Sequence, residues 1–365
     1  MARDSIRVLH VGLSANMGGI ENVVRSWNSL LPNNIKFDFI NNGSGLLAYQ
    51  GEFVDKGAKI YDIVPRNKNP WKSYRQLRRI IIENQYDYIH HHMMSYSWPE
   101  PLLLAQQIGS TKAIAHSHCV GAENLDLKYR ILDHIGRKRL ERREYYKIAC
   151  GNAAGLDMFR TDNFVVIKNG VEFSKCQFSE MNRLLIRHQY LIPDGTFVVG
   201  HVGRSGIEKN YPFIIQLFCD LLKQRADTVL MLIGNVNDDI SIQKLVHEKG
   251  IQDRVIFTGV IPDLKMYYSA MDVFILPSLS EGVSVAQLEA QVSGLECLVS
   301  EFVSSDADIS GNVNYISVSD TRDWVEKLMR INNHNNRDIS SLNIDYSYDL
   351  KETAQNMFGF YEAHM

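Results

Sequence analysis

The strongest constraint on the fold is a five-residue echo. Val8-Leu9-His10-Val11-Gly12 returns 191 positions later as Val199-Gly200-His201-Val202-Gly203. Each copy is an apolar run closed by glycine, then a loop, then an amphipathic stretch (21–31 and 211–224). Strand, turn and helix in that order open an α/β unit with a parallel sheet. Around the echo, short β-branched runs alternate with helix-length segments. The runs are 6–11, 37–40, 86–90, 113–115, 148–150 and 164–167, then 197–202, 228–233, 254–257, 273–276 and 297–299. The nearly unbroken apolar content of 229–233 and 273–276 suits strands covered on both faces.

The expected class is therefore α/β, with two Rossmann-like domains in tandem. At 365 residues the chain exceeds what one core usually serves. The domains are placed at 1–172 and 173–348, joined near the turn Asn169-Gly170. Ligands of open α/β sheets bind beyond the carboxyl ends of the strands, so the two glycine loops are expected to face a shared cleft. The last segment, 349–365, carries Leu350, Ala354, Met357 and Tyr361 on one helical face. It is expected to pack back on the first domain.

Charge is uneven. Residues 1–172 hold 23 Lys+Arg against 17 Asp+Glu, and the remainder 16 against 25, so a net +6 half adjoins a net −9 half. The basic half is expected to meet something anionic. Five scattered cysteines (Cys119, Cys150, Cys176, Cys219, Cys297) read as buried thiols of a reducing cytoplasm, without a disulfide framework or zinc site. The start of the chain enters an apolar strand directly, unlike a signal peptide, and no run approaches the ~20 apolar residues of a membrane span.

Three loops carry the chemistry. In Glu281-Gly282-Val283-Ser284-Val285-Ala286-Gln287-Leu288-Glu289, a buried strand and a Pro-Ser turn precede an apolar helical stripe. Glu281 and Gly282 are expected at the start of that helix, where unpaired N–H groups and the dipole favour an anion. Glu289 follows eight residues on, so that one carboxylate suits a sugar and the other a ribose, with a diphosphate between. The second loop, Gly203-Arg204-Ser205-Gly206-Ile207-Glu208-Lys209-Asn210, places two cations where they neutralise a diphosphate, Arg204 by paired hydrogen bonds and Lys209 as a point charge. The third, Ser14-Ala15-Asn16-Met17-Gly18-Gly19-Ile20-Glu21, lets backbone N–H groups approach phosphate or sugar at Gly18 and Gly19. It is not the dinucleotide fingerprint, which disfavours a nicotinamide enzyme.

Together these pieces resemble glycosyltransferase family 4, whose members are retaining and have the GT-B fold. The likeness spans nearly the whole chain: MGGIE (17–21), ACGNAAG (149–155), IKNGVE (167–172), GRSGIEKN (203–210), FTG (257–259), and Glu281 with Glu289. It is nearest to the branch that builds capsular and exopolysaccharides. The resemblance implies transfer from a nucleotide-sugar, by base rate a UDP-sugar, to a glycan or lipid-diphosphate acceptor, with no metal and no other cofactor. By position it implies that Arg204 and Lys209 hold the diphosphate and that Glu281 meets the donor sugar. It puts the backbone of Gly282, Val283 and Ser284 at sugar or phosphate, Glu289 at the ribose, and Val260 near the base. It also implies a first-domain histidine near the sugar; of His116 and His118, His118 aligns better. Where the branch commonly has prolines, this chain has Ser284 and Glu296, which puts donor identity in doubt. A non-catalytic GT-B partner subunit and a nucleotide-sugar epimerase share the architecture and stay open.

Other signals weigh less. His90-His91-His92 is read as a strand end, since consecutive strand residues point to opposite faces and do not readily share one ion. Asn237-Asp238-Asp239 reads as a helix cap. Residues 128–147 hold eight Lys/Arg among apolar residues. They read as contact with an anionic membrane surface, making the protein cytoplasmic and peripheral on the membrane's inner face. No nucleic-acid partner is expected.

Overall fold

A computed structural model describes residues 5–43, 45–118, 126–261, 263–332, 337 and 342–365. The chain divides into two compact units, Met1–Gly170 with Ser347–Met365, and Val171–Tyr346.

The first unit is a seven-stranded parallel sheet: β1 (Ile6–Val11), β2 (Ile35–Asn41), β3 (Ile60–Asp62), β4 (Tyr88–Met93), β5 (Lys112–Ser117), β6 (Tyr146–Ala149) and β7 (Val165–Val166). Their order is β3-β2-β1-β4-β5-β6-β7. The second is a six-stranded parallel sheet: β8 (Phe197–Val202), β9 (Thr228–Ile233), β10 (Val255–Gly259), β11 (Val273–Leu276), β12 (Glu296–Ser300) and β13 (Val313–Ile316), in the order β10-β9-β8-β11-β12-β13. Both are doubly wound. The strand order reverses between β1 and β4 and between β8 and β11, where loops diverge and leave room for a ligand.

Both faces of the second sheet are apolar. Val199, Leu230, Leu232 and Ile275 meet the helices on one side, while Val198, Met231, Phe274 and Leu276 fill the other. Parallel strands read as continuous apolar runs for this reason. The closing helix, Leu350–Ala363, belongs to the first unit and is capped by Asp349, whose side chain accepts from the Lys351 N–H. The Tyr88 hydroxyl donates to the Tyr361 carbonyl at 2.8 Å. Asp239 caps the helix Ile240–Glu248.

The structure departs from the sequence reading in three ways. The edge strands β3 and β13 carried no apolar run to announce them. β4 begins and ends later than expected, so His90, His91 and His92 lie inside a buried strand rather than at its end. The helix after β11 is Val285–Val292, so Glu281 and Gly282 precede it, and Ser284 is its N-cap. Cys150, Cys176, Cys219 and Cys297 are free thiols; Cys119 lies outside the described residues. Among the described residues no helix is long and apolar enough to cross a membrane.

Candidate functional site

At the switch point of the second sheet two loops leave adjacent strands. The first follows β8. Its Gly203 carbonyl lies so close to Gly234 that a Cβ there would stand 2.0 Å from the oxygen, and Gly234 has φ +136°. Only glycine fits both constraints. The loop is held by the Ser205 N–H on Asn235 Oδ1 (2.9 Å) and the Ser205 hydroxyl on Asp239 Oδ2 (2.6 Å). Ile207–Lys209 is a single 3₁₀ turn ended by Asn210 in the left-handed region. The loop is thus fixed largely by its backbone and by short polar side chains, which leaves Arg204 unspent on structure. Arg204 is exposed and makes no hydrogen bond or ion pair within the described residues.

The second loop follows β11. The Leu279 N–H donates to the Glu208 carbonyl at 2.8 Å, tying the two loops together. Glu281 forms an isolated bridge with Val303, and its carbonyl accepts from Ser304 N–H at 3.2 Å. Lys209 Nζ donates to Glu281 Oε2 in an ion pair that is 14% and 21% exposed on its two sides. Thus Lys209 and Glu281, seventy-two positions apart, are neighbours. Gly282, Val283 and Ser284 are buried beside them, and Ser284 caps the next helix without a side-chain hydrogen bond. The hydroxyl therefore leaves the first-turn N–H groups unclaimed, a favourable setting for an anion.

Glu289 stands apart from that pair. The Tyr268 hydroxyl donates to its Oε2 at 2.9 Å. Burial pushes its pKa up to about 7, against the opposing pull of Tyr268 and Lys265. Val260 follows Gly259 at the end of β10 and is 51% exposed. Glu296 accepts from the Asn314 amide at 3.0 Å and is half-buried.

In the first unit, Gly18 caps the helix Gly19–Ser29. The loop before it is closed by buried Glu21, which accepts from the Ser14 N–H (2.9 Å) and hydroxyl (2.8 Å). Glu21 is thus spent on shaping the turn around Gly18 and Gly19. His118 sits just past β5 and is 8% exposed. Burial lowers its pKa to about 3, with a smaller opposing effect from the Asn169 side chain.

Sequence reasoning missed the surroundings of His118. His10 on β1, His90 and His92 on β4, and His116 on β5 share its face of the sheet, all buried. His92 Nδ1 lies 2.8 Å from His118 Nε2, and His10 Nδ1 lies 2.9 Å from His92 Nε2. His91 alone points to the other face, against Trp98. The i, i+2 spacing of His90/His92 and His116/His118 was a readable signal; the alternation that separates His91 from its neighbours also puts those neighbours together.

Residues 182–337 match the family model described as Glycosyl transferases group 1. The chain is 26% identical over 338 residues to the putative glycosyltransferase EpsF of Bacillus subtilis (strain 168), a match covering 89% of this chain and 87% of that protein. It is 24% identical over 364 residues to the UDP-Gal:alpha-D-GlcNAc-diphosphoundecaprenol alpha-1,3-galactosyltransferase of Escherichia coli, covering 93% and 91%. Among solved structures, Anabaena HepE in complex with UDP and glucose superposes with a TM-score of 0.78 at 15% identity, covering 98% of this chain and 100% of that one.

Proposed function

We propose that this chain, a glycosyltransferase of glycan biosynthesis whose residues 182–337 belong to glycosyl transferases group 1, moves a sugar from a UDP-sugar to a lipid-diphosphate-linked acceptor with retention of configuration and without a metal. The observation that carries the reading is the pair Lys209–Glu281 beside the uncommitted Arg204 at the β8/β11 switch point. The lysine neutralises the glutamate. A diphosphate entering between Arg204, Lys209 and the first turn of Val285–Val292 takes over the lysine and frees Glu281 for the donor sugar. Fixed cations aimed at the charge that develops on the departing nucleotide do the work a divalent ion does elsewhere.

In this reading the backbone of Gly282, Val283 and Ser284 supports the sugar and phosphate, Glu289 accepts from the ribose hydroxyls, and Val260 borders the base. Gly18, Gly19 and His118 serve the sugar from the first unit. The choice of UDP is supported by the nucleotide in the HepE complex, and the acceptor by the GlcNAc-diphosphoundecaprenol in the name of the E. coli relative.

A lipid-linked acceptor calls for a bilayer contact on the cytoplasmic face. The helix Leu127–Leu140 buries Asp133, Gly136 and Leu140 and turns Leu127, Ile131 and Ile135 outward, flanked by exposed Lys128, Arg130 and Lys138. Apolar residues ringed by cations suit an anionic leaflet.

The test is transfer from radiolabelled UDP-sugars, with donors first ranked by ligand-linked thermal stabilisation. Lys209→Ala and Glu281→Gln are each expected to cut kcat/KM by about a hundredfold or more, the scale of losing one aligned charge in a transition state. Folding should persist, because both side chains are partly solvated. Unchanged turnover in either variant, or strong inhibition by EDTA, contradicts the assignment.

A further inference from the structure

We propose that His201 is a positioning residue of the donor site: its bare Nε2 takes a hydrogen bond from the Lys209 ammonium once a diphosphate has drawn that lysine off Glu281. The inference deepens, and rests on, the reading of Lys209 as a cation for the donor diphosphate.

The strand dictates where the ring lies. His201 is the fifth residue of β8, whose pairing with β11 runs through Val199↔Val273 and Gly200↔Phe274. Beyond that pairing the ring itself spans the two strands, with Nδ1 2.9 Å from the Ile275 carbonyl oxygen. A carbonyl only accepts, so Nδ1 is the nitrogen that carries the proton. The residue is fully buried, and burial lowers its pKa to about 3, opposed by the Ile275 carbonyl and aided by the charge of Lys209. A neutral ring has one N–H, and here it is already placed. Nε2 is therefore a lone pair.

That lone pair is buried and meets no donor among the described residues. A nitrogen stripped of water and given nothing in return costs free energy, unless some state of the protein supplies the bond. The surroundings narrow the supplier. Gly203 stands two residues on, on the same face of the strand. A Cβ there would lie 2.9 Å from His201 Nε2 and 3.3 Å from both Cδ and Cε of Lys209. Nε2 and the lysine Cε are thus no farther apart than those two lengths laid end to end, and glycine puts no side chain at the point they share. Neighbouring donors are engaged. The Gly203 N–H donates to the Ile233 carbonyl at 3.0 Å. The Tyr211 hydroxyl donates to the Gly203 carbonyl at 3.0 Å, its ring edge-on to the imidazole. Lys209 has three N–H donors and gives one to Glu281. Rotation about the last bonds of its flexible stem moves the ammonium from one acceptor to the other.

The lysine has to part with Glu281 before that carboxylate can meet the donor sugar. Phosphate oxygens and one ring nitrogen satisfy its three donors together. Without the ring, the third donor returns to Glu281 or goes to water. A neutral acceptor suits the task, because it holds the ammonium without competing with the diphosphate for its charge.

The experiment is a double-mutant cycle read by calorimetric binding of UDP to the full chain. Two replacements separate the ring's two nitrogens. His201→Asn keeps an amide N–H near Nδ1 for the Ile275 carbonyl and has nothing at Nε2. His201→Gln reaches the place of Nε2 with an amide oxygen and gives up the bond to Ile275. The expected result is about a tenfold loss of UDP affinity in His201→Asn, the scale of one hydrogen bond to a charged group, and about threefold or less in His201→Gln. In a Lys209→Ala chain, His201→Asn should change the affinity by less than about twofold, because the donor that the ring would meet is already gone. A merely structural ring reverses the order of Asn and Gln, or gives the same loss in both backgrounds; either result overturns the proposal.

The parental chain carries a second readout, free of any folding defect in the variants. In a two-bond ¹H–¹⁵N correlation on histidine-labelled protein, the His201 signal is the one missing from His201→Gln. Nδ1 should be protonated and Nε2 bare. Saturation with UDP should move the Nε2 resonance upfield in the parent and not in Lys209→Ala. A proton on Nε2, or an Nε2 resonance that ignores UDP, also overturns the role. If Lys209→Ala binds UDP as tightly as the parent, the diphosphate reading itself falls and takes this role with it. If Lys209→Ala binds weakly while His201→Asn binds as the parent does, the ring alone is misassigned.

Discussion

A carboxylate that has to ionise to bind its ligand writes its own pH dependence. Glu289 is the case in point. Its ordinary pKa of 4.5 is raised by burial to about 7. The folded chain therefore keeps a proton that the unfolded chain gives up. Stability from this group is complete below about pH 4.5 and is lost as pH rises through about 7. On the proposed role of Glu289, donor binding runs the other way, because ribose hydroxyls that donate to a carboxylate favour its charged form. With UDP-glucose, whose diphosphate does not titrate in this range, affinity is expected to fall about tenfold for each unit below about pH 7. Tyr268→Phe removes a donor that holds this pKa down, so the edge should move to higher pH. Calorimetry in buffers of different ionisation enthalpy reads the proton released on binding. A flat affinity between pH 5 and 8 would mean that Glu289 does not touch the ribose.

The elements that place these residues were legible in proportion to their burial. The central strands β1, β8, β9 and β11 carry apolar runs that sequence alone marks out, and their bounds coincide with the reading. β3 and β13 lie at sheet edges, where one side is solvent and the alternation dissolves; Tyr61, Asp62, Asn314 and Tyr315 do not read as a buried strand. The helix start at Val285 was misplaced because Glu281 looks like a first-turn acid, whereas its backbone is engaged with Val303 and Ser304. The ion pair Lys209–Glu281 was invisible for a different reason. It joins the loops after β8 and β11, far apart in sequence, and only the strand order brings them together, as it brings together histidines of β1, β4 and β5 whose i, i+2 spacing marked no more than a shared face. The first echo closes on Gly12, at φ +102°, where a Cβ would stand 2.2 Å from the His92 carbonyl oxygen. Gly12→Ala is therefore expected to cost about 2 kcal/mol or more from backbone strain and from the clash, read as a lowered denaturation midpoint. A stability equal to the parent's would show that β1 and β4 are not packed so closely.

The basic helix is a second matter of elements, and here the structure redistributes the charges. Arg137 is committed inward, to Asp133 at 2.6 Å and over the Tyr96 ring, and Arg139 pairs with Glu100 at 2.8 Å. The cations left for a surface are Lys128, Arg130, Lys138, Arg142 and Arg143, all exposed. Each is worth about 1 kcal/mol near an anionic leaflet, or roughly fivefold in binding. Replacing Lys128, Arg130 and Lys138 by Gln should thus weaken binding to phosphatidylglycerol vesicles by about a hundredfold at low salt and leave UDP-glucose affinity untouched. Vesicle binding that ignores both the charges and the salt would refute the membrane contact.

At the scale of the whole molecule the chain leaves its first unit at Gly170, builds the second, and returns at Ser347 to complete the first. The returning helix supplies buried Leu350, Ala354, Met357, Phe358, Phe360 and Tyr361. At about 1.5–3 kcal/mol for each large side chain buried, its removal forfeits an amount comparable to a domain's entire stability of about 5–15 kcal/mol. It would also strip Tyr88 and His90 of their partners on Tyr361. The second unit is continuous from Val171 to Tyr346, and the two core clusters described on the faces of its sheet contain no residue of that helix. A chain ended at Tyr346 is therefore expected to lose its first sheet while keeping its donor site. Limited proteolysis should cut freely within residues 5–170, and UDP-glucose should still raise the melting temperature of what remains. Protection of the first unit in the shortened chain would mean that the helix covers the sheet without holding it. Loss of UDP-glucose stabilisation would mean that the nucleotide is not gripped by the second unit alone, and with that the roles given to Arg204, Lys209 and Glu289 would have to be shared with residues of the first.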